Sequence, residues 1–127
     1  MLTLDQAERA GKAALKAAGT PVSVVVVDDK GRDIYTARAD GAMWITPDIA
    51  RAKATTAAAF RMATENLSAM SAQPWFLSLL QGSTKVWAGG GGAPILRDGV
   101  VIGGVGISGG SEEIDTMAAA AGAAAGA

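Results

Sequence analysis

The chain has 127 residues, which suits one domain and leaves no room for two independent cores. With 28 Ala, 17 Gly and only three Trp, two Phe and one Tyr, its interior must be built from small side chains in close contact. Having no Cys and no His, it excludes disulfides, thiolate nucleophiles, a Ser-His-Asp triad, nitrogen- or sulfur-ligated zinc and histidine-ligated haem; a formal net charge of −1 without a basic run excludes the usual nucleic-acid face.

Thr3-Leu4-Asp5-Gln6 reads as a capping box. Leu4, Ala7, Gly11, Ala14, Leu15 and Ala18 then recur at helical spacing, and Gly19 and Pro21 supply the stop, so a helix is predicted over residues 4–18. Residues 22–27 are β-branched except for Ser23, and Asp28-Asp29-Lys30-Gly31 is turn chemistry. With residues 32–38 they make a β-hairpin whose first strand, apolar on both faces, belongs at the centre of a sheet.

Thr46-Pro47-Asp48 predicts a second helix capped by Thr46 and running to about Glu65, with Ile49, Ala52, Thr56, Ala59, Phe60 and Ala63 on its apolar face. Residues 66–82 suggest one or two short helices interrupted by Pro74. After the glycines 89–92, residues 93–97 and 100–108 flank Asp98-Gly99, a favoured two-residue turn, and form a second hairpin. Ser111-Glu112-Glu113 caps a last helix that buries Ile114, Met117, Ala118 and Ala121 and frays after Gly122. The predicted fold is a single α+β domain over residues 1–127, a central antiparallel sheet flanked by helices in the order α-β-β-α(α)-β-β-α.

Several stretches in this order resemble the haem-degrading domain family, the GlcG/HbpS-like proteins that include the C-terminal domain of PduO-type proteins. They are residues 4–18 and 22–31, Asp40-Gly41-Ala42, the Lys53-Ala54 segment, Gly90-Gly91-Gly92-Ala93-Pro94-Ile95 and residues 98–109. The most specific part is GGGAPI followed by DGVVIGGVGISGG. The resemblance implies a small α+β domain that assembles into dimers or larger rings, and it introduces haem or a corrinoid-related partner as a ligand. Without histidine, haem iron would have to meet Tyr35, Met43, Met62, Met70, Met117 or a lysine.

Candidate site residues follow from charge and backbone freedom. Lys53 has small neighbours, Ala52, Ala54 and Ala57, that leave it partly enclosed, and a desolvated lysine loses basicity and can act as a base or hold an anionic or carbonyl group. Arg51 either pairs with Asp48 three residues earlier or serves as a second substrate-binding cation; it points away from Lys53. Glu112, Glu113 and Asp115 suit the first turn of a helix on dipole grounds alone, and Glu113 or Asp115 is the candidate proton carrier. Gly89, Gly90, Gly91 and Gly92 form either a turning connection or an anion nest, and no phosphate-loop lysine follows them. Gly103, Gly104 and Gly106 are expected to admit an Ala-rich helix.

Three functions stay open on these residues. The first is a small-metabolite enzyme of lyase, isomerase or cyclase type, needing no metal or nucleotide cofactor. Its catalytic residues are Lys53, Glu113 and Asp115, and its pocket is formed by Arg51, Trp75, Trp87, Gly89, Gly90, Gly91, Gly92 and Pro94. The second is a haem-binding or haem-handling protein with a non-histidine ligand, and the third a non-catalytic oligomeric module. A homo-oligomer with a small-molecule ligand is expected, without nucleic acid or membrane partners. The N-terminus lacks a leader pattern, so a cytoplasmic setting is expected.

Overall fold

The computed structural model describes residues 1–82 and 86–127. Helix α1 (Leu4–Ala18) starts on the predicted capping box, with Thr3 Oγ1 accepting the Gln6 N–H at 3.1 Å and Gln6 Oε1 accepting the Thr3 N–H at 2.9 Å. Gly19 ends it in the left-handed conformation, φ 63°. Its buried face is Ala7, Ala10, Gly11, Ala14 and Ala18, while Leu4 lies outside that face and is exposed.

Strands β1 (Ser23–Asp28), β2 (Asp33–Arg38), β3 (Gly92–Arg97) and β4 (Val100–Ser108) form one sheet in the order β2-β1-β4-β3, every neighbouring pair antiparallel. The all-valine run of β1 is central, as its two apolar faces require. Val24 and Val26 enter the core beneath α1 and helix α4 (Glu112–Gly126), whereas Val25 and Val27 pack under helix α2 (Thr46–Phe60). The result is three layers, α1 and α4 on one face and α2 on the other. Each of these four fully buried valines contributes about 1.5–3 kcal/mol of hydrophobic transfer energy.

Glycines set how close α2 comes to the sheet. A Cβ at Gly106 would run into the Ala50 carbonyl, and one at Gly104 into the Ala54 carbonyl. Gly103 points to the other face, toward Leu2. Between β3 and β4, Asp98 (φ 52°) and Gly99 (φ 77°) both take positive φ, as the predicted tight turn demands. Pro94 sits on the edge strand β3, where a missing N–H is tolerated.

Helix α2 departs from its predicted form at three points. Its N-cap is Ile45, and the Thr46 hydroxyl donates to the Met43 carbonyl at 2.7 Å while meeting Ser23 Oγ at 2.8 Å. Thr46 thus pins the helix to the sheet rather than capping it. The helix stops at Phe60, closed by Arg61 in the left-handed region (φ 58°), because Thr64 is drawn aside to the glycine strand: its hydroxyl accepts the Gly92 N–H at 2.8 Å. The face turned to the sheet is Ala50, Ala54 and Ala58, and Ala59 is exposed. In a helix so rich in alanine, the position of the opposing glycines chooses the buried face.

A 3-10 helix (Thr64–Met70) and helix α3 (Pro74–Gly82) fill the middle segment, with Pro74 opening α3. Helix α4 is capped by Ser111, whose hydroxyl accepts the Ile114 N–H at 3.1 Å. It buries Asp115, Ala118, Ala119, Gly122 and Gly126, while Met117 is exposed and Ala121 half-buried. The helix does not fray at Gly122 but continues to Gly126, since both glycines let α1 approach at Ala10. No described helix is long and apolar enough to cross a membrane.

Candidate functional site

Lys53 projects from the middle of α2 past the end of β4 to the first turn of α4. Its Nζ donates to the Ile107 carbonyl at 2.8 Å and to Asp115 Oδ2 at 3.3 Å. Both partners are enclosed, Lys53 at 5% and Asp115 at 3% exposure. The other Asp115 oxygen, Oδ1, accepts the Gly110 N–H at 3.0 Å, which fixes the carboxylate. Loss of hydration lowers the Lys53 pKa below its ordinary 10.5, although the charges of Asp115 and Glu112 pull the other way.

The glycine run is packed onto this pair. Gly91 adopts φ 116°, and a Cβ there would lie 2.7 Å from Lys53 Nζ and 3.0 Å from Asp115 Cβ. Glycine is therefore required at 91 by both backbone conformation and space. The Gly90 N–H donates to Glu112 Oε2 at 2.7 Å, so the donor available for an anion nest is occupied by a carboxylate of the chain itself. Gly89 and Gly92 are tied to Thr64, through its carbonyl at 3.3 Å and its hydroxyl at 2.8 Å.

A cavity of about 350 Å³ opens beside the ion pair, lined by Lys53, Asp115, Glu112, Gly90, Trp87 and Met43 among others. That lies at the small end of the roughly 300–1,000 Å³ range of ligand sites. The Trp87 ring stands 5.8 Å from Lys53 Nζ, and its backbone N–H donates to Thr56 Oγ1 at 2.8 Å, which anchors it to α2. Thr46, Ile49 and Ser108 complete the wall nearest the sheet. Among the described residues, no group of three or more His, Cys, Asp or Glu is placed to hold a metal ion.

The structure brings Lys53, Asp115, Trp87 and Gly90 to one cavity and leaves the other expected site residues elsewhere. Arg51 binds Asp33 through Nε at 2.8 Å and Asp48 through Nη1 at 3.2 Å, beside a separate cavity of about 500 Å³. With two carboxylates on it, its charge is already compensated. Glu113 is exposed on α4, one residue out of phase with the cavity. Trp75 packs edge-on against Phe76 at 5.3 Å and lies outside the cavity, and Pro94 faces Gly104 in the sheet. Gly89, Gly91 and Gly92 support the site from behind and do not line it. Met43, one of the methionines considered for haem iron, does line the cavity, whereas sequence reasoning missed the place of Thr46 and the role of Glu112. The Ser-Gly-Gly that ends β4 was the available hint, since a strand running into two glycines and a helix cap makes a natural cavity floor.

The curated relatives bear on this geometry. The chain is 40% identical over 116 residues to corrinoid adenosyltransferase PduO of Salmonella typhimurium, covering 88% of this chain and 34% of that protein. It thus spans about a third of that relative's length. A crystal structure of a PduOC–haem complex superposes with a TM-score of 0.87 at 38% identity, covering 98% of this chain and 94% of that one. A double mutant of Streptomyces reticuli HbpS gives a TM-score of 0.87 at 36% identity, covering 97% and 85% respectively. The α+β architecture with a four-stranded antiparallel sheet is that of these neighbours. A family model described as haem degrading protein HbpS-like matches residues 2–124, and the chain belongs to that family.

Proposed function

We propose that this chain binds haem, or a closely similar flat macrocycle, at the mouth of the Lys53–Asp115 cavity without a histidine ligand. The observation that carries the reading is Trp87: a large indole, 38% exposed, beside the cavity in a domain similar to one solved with haem. The donor chemistry fits. Met43 lines the same cavity with an exposed thioether, a donor type that haem iron accepts. Ile49 adds apolar wall, and Lys53 is committed to Asp115, so the carboxylates of the macrocycle stay toward solvent. Bound haem supplies an iron whose reactivity follows from its axial ligand and the polarity around it. The chain's own residues supply a stacking face, a soft donor and an acidic inner wall. Titration with haem tests the reading: a saturable Soret shift supports it, and no shift at micromolar concentration ends it.

A second reading, acid–base chemistry of lyase or isomerase type on a small metabolite, is favoured by one observation. Lys53 and Asp115 form a buried ion pair that opens into a cavity, and burial lowers the pKa of the amine, the direction that favours general base catalysis. Glu113 and Arg51 have no part in it, since neither lines the cavity. In either reading the chain works as a homo-oligomer in the cytoplasm; the exposed Trp44 and Trp75 supply apolar surface for self-association.

A further inference from the structure

The geometry points to a carbonyl-condensing amine at Lys53: a small neutral aldehyde entering the cavity forms an imine on its Nζ. This activity goes beyond haem binding and does not depend on it. Four observations place the chemistry. Nζ lines the cavity, and two of its three donor positions are held by Ile107 and Asp115, which fix the direction of the nitrogen. The Asp115 carboxylate lies 3.3 Å away, close enough to take a proton from the ammonium group and return it. The lysine is desolvated, which favours the free amine that attacks carbonyls. The wall opposite is the Trp87 ring, with the side chains of Met43 and Ile49 nearby.

The step balances without an outside reagent. Asp115 accepts a proton from the ammonium, and the nitrogen lone pair attacks the aldehyde carbon. The C=O electrons move to oxygen, which takes a proton from the newly bonded, positively charged nitrogen to give a neutral carbinolamine. Asp115 then returns its proton to the departing hydroxyl, water leaves, and the C=N bond forms as an iminium facing the Asp115 carboxylate. Charge also selects the substrate. Asp115 and Glu112 both border the cavity, and Lys53 is its one lining cation among the described residues. Once Asp115 has taken the proton of the amine, an oxo acid would still bring a second negative charge beside Glu112, whereas an uncharged aldehyde does not.

The test uses the native protein without haem, n-butyraldehyde as probe and cyanoborohydride as trap at about pH 7, followed by peptide mapping. Lys12, Lys16 and Lys30 are exposed and serve as internal standards. The expected result is butylation of Lys53 at least severalfold faster than of those three, since burial lowers its pKa and leaves more of the free amine. Glyoxylate in place of butyraldehyde is expected to label Lys53 more slowly. Surface lysines reacting as fast as Lys53 overturns the assignment, and preferential labelling by glyoxylate overturns the substrate class. Haem titration reads Met43 and Trp87 instead, so either idea can fail while the other stands.

Discussion

Glu112 Oε2 accepts the Gly90 N–H at 2.7 Å, so the glycine run carries an internal anion supplied by the first turn of α4. Removing that acceptor leaves a buried donor unpaired. Glu112→Ala is expected to destabilise the fold by about 1–3 kcal/mol in urea titrations, and Glu112→Gln, which keeps an acceptor oxygen, by about 1 kcal/mol or less. Amide exchange at Gly90 should rise sharply in the alanine variant only. Equal behaviour of both variants contradicts the assigned role of this hydrogen bond.

The Lys53–Asp115 pair makes a non-additive prediction. Either single change, Lys53→Met or Asp115→Leu, strands a buried charge and is expected to cost about 3–5 kcal/mol. The double variant should cost clearly less than the sum, since neither charge remains unpaired. A double-mutant cycle by chemical denaturation reads this directly, and strict additivity would show that the two groups do not interact.

The same pair fixes the sign of a pH effect. Burial holds the folded-state pKa of Lys53 below 10.5, so between the folded value and 10.5 the unfolded chain binds more protons. Stability from this group therefore rises with pH through that window. Against the Lys53→Met/Asp115→Leu double variant, the native chain is expected to gain stability as the pH rises toward 10.5 through that window. A relative loss over that interval would mean that the charge of Asp115 outweighs desolvation.

Close packing of α2 on the sheet rests on Gly106, where a Cβ would meet the Ala50 carbonyl. Gly106→Ala is expected to destabilise by at least about 1–3 kcal/mol, because backbone rather than a flexible side chain stands in the way. Gly82→Ala, with nothing within 4 Å, is the matched control and should leave the melting temperature nearly unchanged.

Much of the fold was legible because its signals are local. The Thr3–Gln6 box, the valine run of β1 and the Asp98-Gly99 turn each specify structure within a few residues, and all three formed. The features that departed from expectation depend on distant partners. The end of α2 is set by Thr64 reaching Gly92, and its buried face by Gly104 and Gly106. The site was half legible for the same reason. Enclosure of Lys53 by small neighbours shows in the sequence, but its partner Asp115 lies 62 residues away, and Glu113 beside it carries the same charge. Helical phase, invisible in composition, separates the buried acid from the exposed one. Arg51 and Trp75 looked equally functional by residue type, yet the tertiary fold gave them partners of their own, Asp33 and Phe76.

The proposed seat of the macrocycle is against Trp87 and Met43 at the cavity mouth. The direct measurement is haem titration of the native chain beside Trp87→Ala, Met43→Ala and Trp75→Ala, read by the Soret band. The native chain and Trp75→Ala are expected to bind alike, while Trp87→Ala and Met43→Ala each weaken binding by about tenfold or more, as loss of a contact worth about 1.4 kcal/mol requires. An absent shift in the native chain, or variants at Trp87 and Met43 that bind as the native chain does, contradicts the account.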